Sequence, residues 1–228
     1  MKVYHILSYL IKGVIVVLPW LLKRPVLQRF YGYRLDRTAH IGFSWIYPGQ
    51  LYMAPGSRIG SLNVAINLDK LVLDEQATIG RQNWITGFRS GSGSPHFAHQ
   101  FNRSPELLMG AHSAITKNHH IDCTNSITIG RFSIVAGYRS QLLSHAIDMQ
   151  LNRQHSEPIK IGEHCLVGTN CVILAGSVLP DYSVLGALSF LNKAHSEPWC
   201  LYAGHPAIYR KSIDANDAYF HRTNGYVV

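Results

Sequence analysis

The chain predicts an all-β solenoid, with an apolar helix in front of it and a short segment behind it. Three observations carry that prediction. Residues 161–190, IGEHCLVGTNCVILAGSVLPDYSVLGALSF, divide into five hexads in register. Each hexad opens on an aliphatic residue (Ile161, Val167, Ile173, Leu179, Leu185) and carries a small one at its fifth place (Cys165, Cys171, Ser177, Ser183, Ser189). A helix repeats every ~3.6 residues and a strand every ~2. A fixed period of six marks instead a stack of coils, each made of short strands and tight corners. The aliphatic residue fills the interior, and the small one sits where the corner crowds. Finally, 46% of the 228 residues are hydrophobic and only 15% charged. That balance supports one domain with a sizeable core and excludes extended disorder.

The first element is the apolar run VYHILSYLIKGVIVVLPWLL, residues 3–22. No small-x-small site follows it, which argues against a cleaved signal peptide. Lys12 in its middle argues against a membrane span. His5, Ser8 and Lys12 recur at helical spacing as a narrow polar stripe, and Pro19 ends or kinks the helix. Two readings remain. One is a helix lying on an anionic membrane through residues 3–24, with Trp20, Lys23 and Arg24 at the headgroups. The other is a cap over the open end of the solenoid. A single helix can do both. A basic connector then leads to residue 38.

The solenoid is expected over residues 39–211. Weaker hexads start at Ile41, Ile59, Leu73, Ile79 and Ile85, then at Met109, Ile115 and Ile121. After two extra residues, Ile127 and Thr128, they resume at Ile129, Val135 and Gln141. Two excursions interrupt them: the Gly/Ser-rich loop 88–107 and the loop 146–158. Residues 212–228 form a short C-terminal tail. None of the four cysteines forms a C-x-x-C pair, and their places in the repeat read as packing. The absence of a disulfide framework fits a reducing cytoplasm. Net charge is +8. It favours anionic partners, but no nucleic-acid-binding motif accompanies it.

The hexads resemble the left-handed parallel β-helix of the hexapeptide-repeat acyltransferases, in which three hexads make a triangular coil. The resemblance covers most of residues 40–210. It is strengthened by LLSHAID…PIKIGEHCLVG, since many relatives place the catalytic histidine just before an excursion that precedes an I-x-I-G run. It implies His145 as general base, a role that suits an imidazole titrating near working pH. Asp148, near in sequence, and Asp122, one coil earlier, are candidates to orient the ring. Asn118, His119 and His120 are candidates for acceptor contacts. The ending LNKAHSEPWCLYAGHPAIYRKSI resembles the family's coenzyme A region, with Asn192 where relatives often carry threonine. Gly168, Gly186 and Ala187 would meet the pantetheine arm through their backbones, while Lys193, Arg210 and Lys211 would meet the phosphates.

The resemblance thus implies an acetyl-CoA-dependent O-acyltransferase without metal, assembled as a homotrimer. The apolar segment points to an acceptor sugar of a cell-surface polysaccharide or its lipid-linked precursor. It also points to a cytoplasmic protein peripherally attached to the inner membrane. The alternatives are a serine or xenobiotic acetyltransferase, a γ-carbonic-anhydrase-like metal lyase and a non-catalytic scaffold. Thirteen histidines motivate the lyase, but the sequence lacks the H-x-x-x-x-H pair which that family uses.

Overall fold

The computed structural model describes residues 2–227, and the side chains of residues 6–227. Residues 34–203 wind as a parallel β-helix whose three sheets form the sides of a triangle. The first sheet stacks Arg34–Leu35, Gln50–Met53, Lys70–Leu73, Glu106–Met109, Ile127–Ile129, Ile159–Ile161 and Val178–Leu179. The second stacks His40–Ile41, Arg58–Ile59, Thr78–Arg81, Ala114–Lys117, Ile134–Val135, Leu166–Val167, Val184–Leu185 and Cys200–Ala203. Ile208–Ser212 folds back antiparallel on the last of these. The third sheet stacks Trp45–Tyr47, Val64–Ile66, Trp84–Thr86, His120–Asp122, Gln141–Leu143, Val172–Leu174 and Phe190–Leu191.

The leading residues of the five hexads, Ile161 to Leu185, are all buried in the coil interior, and so are the small residues at their fifth places. Polar atoms at the corners tie coil to coil. Where the second sheet turns into the third, a side chain of each coil accepts the amide of the next. Ser44 Oγ accepts from Asn63 and Asn63 Oδ1 from Asn83, both at 2.9 Å. Asn83 Oδ1 accepts from His119 at 2.9 Å, His119 Nδ1 from Ser140 at 3.1 Å and Ser140 Oγ from Cys171 at 3.2 Å. Buried amides thus keep partners where the backbone ladder breaks.

The upstream hexads are broken for a structural reason. Ile161 pairs with Leu179, eighteen residues on. Met53 pairs with Leu73 and Met109 with Ile129, twenty residues on. The two additional residues lengthen the first sheet's strands, so that Ile127 and Ile129 both point inward around Thr128. A further residue enters the corner after Val135. The inward residue is therefore Leu142, and Gln141, read from the sequence as the head of a hexad, is exposed.

Two helices precede the coils: α1 (Lys2–Val17) and α2 (Trp20–Tyr31), with Pro19 between them. Gly32, at φ 68°, ends α2 in the left-handed conformation that glycine adopts without strain. The helices cover the first coil. Ile15 and Leu27 join the core, and Tyr9 stacks on Trp45 at 6.1 Å. Lys12 lies over the Tyr9 and Tyr47 rings at 5.6 and 5.0 Å. A cation in an apolar helix is thus placed on aromatic faces. Lys23, expected at the headgroups, is instead buried and donates to Gly42 O at 2.9 Å. Arg24 donates to Leu35 O at 3.2 Å. These two residues bind the helix to the solenoid because the first coil's carbonyls have no preceding coil to bond. His5 of the expected polar stripe lies outside the described side chains. The outward side of the helices, from Ile6 through Leu10, Val14 and Val17 to Leu21, is exposed. No helix among the described residues is long and apolar enough to cross a membrane.

At the other end, the chain returns along the corner between the first and second sheets. His112, Phe132, His164, Tyr182 and Trp199 stack there with ring centroids 4.3–4.9 Å apart. Phe220 is buried against Trp199, and Tyr219 donates to Cys165 O at 3.1 Å.

Candidate active site

His145 lies two residues beyond Gln141–Leu143, where the third sheet turns toward the first. There the chain leaves the coil as a hairpin, His145–Asp148 paired antiparallel with Arg153–Ser156. Asp122 ends the strand stacked beneath, its Cα registered with Leu143. Stacking therefore brings together two residues 23 apart in sequence. Asp122 Oδ2 bonds His145 Nδ1. Asp122 Oδ1 accepts from the Thr124 amide at 3.0 Å and from its hydroxyl at 2.7 Å. Ser144 Oγ donates to Asp122 O at 2.6 Å and accepts the Asn125 amide at 2.8 Å, which locks the two coils at this corner.

The electrostatics follow from these contacts. Burial alone pushes the Asp122 carboxyl up, but the bonds from His145 and Thr124 outweigh it and hold the group below its ordinary range. The bond to Asp122 raises His145 above an ordinary imidazole, against the opposing effect of burial. An ionised carboxylate only accepts, so the proton of neutral His145 sits on Nδ1 and the lone pair on Nε2. The side chain is 43% exposed, so Nε2 remains reachable from the cleft.

That cleft has a volume of about 410 Å³. His120, Thr86, Phe97 and Gln154 line it together with the Asp122–His145 pair. The long loop forms its wall. Phe97, from the short 3-10 helix Pro95–Phe97, meets the His145 ring edge-on at 6.3 Å. Arg103 lies 4.6 Å from the Phe97 ring centre and donates to Thr124 O at 2.7 Å and to Phe88 O. Gln100 joins the loop to the hairpin through Ser156 O at 3.0 Å. The loop thus projects only in part, being docked against the hairpin it faces.

The other candidates separate. Asp148 accepts from the Leu151 amide at 3.1 Å and faces Arg153 at 3.8 Å, so it shapes the hairpin turn. His120 is exposed and lines the cleft. Its neighbour His119 is buried, with Nδ1 on the Ser140 amide and Nε2 3.0 Å from Thr116 Oγ1. Both ring nitrogens are engaged, so within this chain His119 serves the corner rather than an acceptor. Burial pushes its pKa down to about 4. Asn118 turns the same corner at φ 55°.

Of the residues read as a coenzyme region, Gly168, Gly186 and Arg210 share one column. Gly168 and Gly186 donate their amides to the ladder, at 2.8 Å to Leu185 O and Tyr202 O. They are therefore not free donors. The amide of Ala187, an exposed residue, makes no such bond among the described residues. Arg210 donates to Ala203 O at 3.0 Å, beside Gly186, and Lys211 follows on the same exposed strand. Lys193 lies beyond Phe190–Leu191, at the opposite edge of the third sheet. No group of three or more His, Cys, Asp or Glu among the described residues is arranged to hold a metal ion.

Thr124, Phe97, Gln154 and Arg103 were not anticipated. Thr124 had a sequence signal, since Asp-x-Thr favours a local side-chain-to-backbone turn. The loop residues had none beyond three phenylalanines in a Gly/Ser-rich stretch.

No family model and no curated protein matches the chain. Solved structures do. The polysialic acid O-acetyltransferase OatWY superposes with a TM-score of 0.56 at 20% identity, over 79% of this chain and 84% of its own. A hexapeptide-repeat-containing acetyltransferase of Vibrio cholerae O1 biovar eltor, solved with acetyl-coenzyme A, gives 0.50 at 22% identity, over 62% and 70%. AntD, an N-acyltransferase of Bacillus cereus solved with dTDP and coenzyme A, gives 0.50 at 13% identity, over 82% and 88%. In fold, this chain is a left-handed parallel β-helix similar to the hexapeptide-repeat acetyltransferases.

Proposed function

We propose that the chain is an acetyl-CoA-dependent O-acyltransferase acting on a sugar hydroxyl of a cell-surface polysaccharide or its precursor. The observation that carries this reading is the Asp122–His145 pair, which opens on a cleft at a β-helix corner. His145 Nε2 takes the proton from the acceptor hydroxyl as that oxygen bonds to the thioester carbonyl carbon. Asp122 fixes the tautomer and stabilises the imidazolium that forms. The same imidazolium then returns its proton to the departing thiolate. Acetyl-CoA supplies the activated acyl group. Ala187, Arg210 and Lys211 are the residues best placed to hold it, through a free amide and two cations for its phosphates. The likeness in fold to acetyltransferases, one of them acting on polysialic acid and one solved with acetyl-coenzyme A, supports this reading.

The active assembly is a homotrimer, which closes the one-sided cleft by cyclic symmetry. Exposed Ile147, Met149 and Leu151 on the hairpin beside His145 are available for the neighbouring subunit. The bare apolar side of α1 and α2 attaches the trimer peripherally to the inner leaflet, where lipid-linked sugars are assembled. Mass spectrometry of surface polysaccharide, from cells with and without this protein, tests the function. An acetyl group lost from each repeat in the deletion supports it, and an unchanged polymer contradicts it.

A further inference from the structure

Where the second sheet turns into the third, successive coils carry cations with no carboxylate among them. Arg81 stands beside Lys117 in the parallel register. Arg139 follows at the same corner of the next coil, its amide 2.9 Å from Asn118 O. Residues 57–64, 78–88, 114–121 and 134–147, which build this edge and most of the face beside it, contain neither Asp nor Glu; Asp122, at the far end of the face, is engaged by His145 and Thr124. None of the ion pairs among the described residues involves Arg58, Arg81, Lys117 or Arg139. Like charges on adjacent strands repel, so an anion that bridges them is favoured. Arg81, Lys117 and Arg58 line a shallow groove of about 820 Å³ with Gly60 and Gly80 in its lining.

Trp84 lies next to this edge, three residues past Arg81, on the outward face of the third sheet. It is 52% exposed. Its register neighbour is His120, and the neighbour of His120 is Gln141. A large aromatic ring left open on a flat sheet, with polar side chains beside it, offers a stacking surface to the C–H face of a pyranose and hydrogen bonds to its hydroxyls. Two residues further along the same strand, about 7 Å at strand rise, Thr86 enters the His145 cleft. Cations, ring platform and catalytic base therefore follow one another across a single face.

We propose that this face is the acceptor subsite and that the acceptor is an acidic glycan. Arg81, Lys117 and Arg139 take its carboxylate or phosphate groups. Trp84 stacks one sugar ring, and a hydroxyl of that ring or the next reaches His145. The assignment rests on the acyltransferase reading for the hydroxyl's fate, but not for the binding itself.

The test is direct binding of full-length protein to acidic oligosaccharides (uronic, sialic and phosphodiester) and to neutral ones of equal length. It is followed by acetyl transfer to the same probes. Acidic oligomers should bind at least about tenfold tighter, with an affinity that falls as salt rises. Trp84→Ala should weaken binding about tenfold, the scale of one lost stacking surface, and Trp84→Phe should restore most of it. Arg81→Ala with Lys117→Ala should weaken acidic but not neutral probes. Equal affinity for neutral oligomers overturns the proposal, as does unchanged binding by the variants. So does a raised Michaelis constant for acetyl-CoA alone, which would give the cations to the donor's phosphates. Dissociation of the assembly by Trp84→Ala also overturns it, because the ring would then be a subunit contact. Acidic glycan bound through these residues but never acylated leaves the subsite standing and removes the acyltransferase. Transfer to neutral sugars that ignores these substitutions does the reverse.

Discussion

Acid should loosen the solenoid through one buried ring. His119 holds the corner ladder as a neutral imidazole, accepting the Ser140 amide at 3.1 Å. Burial depresses its pKa from 6.5 to about 4. The unfolded chain therefore binds a proton in this window that the folded chain refuses. The contribution of this ring to stability is constant above neutrality and falls as pH drops through about 6.5 toward 4. Linkage gives a loss of about 2 kcal/mol by pH ~5 and about 3 kcal/mol by pH ~4. His119→Asn removes the titrating group and leaves a carbonyl oxygen where Nδ1 accepted. Urea unfolding followed by circular dichroism, at fixed protein concentration and ionic strength, should give two stability curves that converge as pH falls, because the wild type loses this increment and the variant does not. Taking the difference cancels the other titrating groups. Parallel curves between pH ~7 and ~4.5 would show that the ring is not held neutral by the corner.

Three further outcomes follow from the same structure. Asp122→Asn removes the group that raises His145, so the acid limb of the pH–rate profile should move to lower pH while turnover falls about 10²-fold; an unmoved limb separates the two residues. Ile173→Ala, fully buried at the centre of the strictest hexads, should cost about 2–5 kcal/mol in chemical unfolding; a variant as stable as the parent contradicts the register. Leu10→Asp with Val14→Asp, both on the exposed side of α1, should abolish sedimentation with anionic vesicles at an unchanged melting temperature; retained binding leaves the helices as a cap only.

The C-terminal coils were legible because eighteen-residue turns repeat one pattern without interruption, so every sixth residue from Ile161 meets the interior. The earlier coils carry two further residues in the first sheet, and the corner after Val135 carries one more. A fixed frame of six therefore loses step there and misplaces Gln141. The cleft was legible at His145, because the repeat visibly ends beside it. The choice between Asp122 and Asp148 was not legible, since proximity in a solenoid runs between coils and the near residue in sequence faces its own hairpin. His119 and His120 look alike in sequence, but a strand start separates them into a buried ladder member and an open side chain. Lys23 was misread for a related reason. In an isolated helix it suits a headgroup, and only the unpaired carbonyls of the first coil draw it inward.

His145, oriented by Asp122, is proposed as the general base of an acyl transfer. The most direct measurement is single-turnover transfer of labelled acetyl from acetyl-CoA to a sugar acceptor, by wild type and by His145→Ala, with acetyl-CoA affinity measured by calorimetry on both. The variant should bind acetyl-CoA as the parent does and transfer about 10²–10⁴-fold more slowly. Equal transfer rates, or a parent that binds acetyl-CoA and transfers nothing to any hydroxyl, would contradict that role.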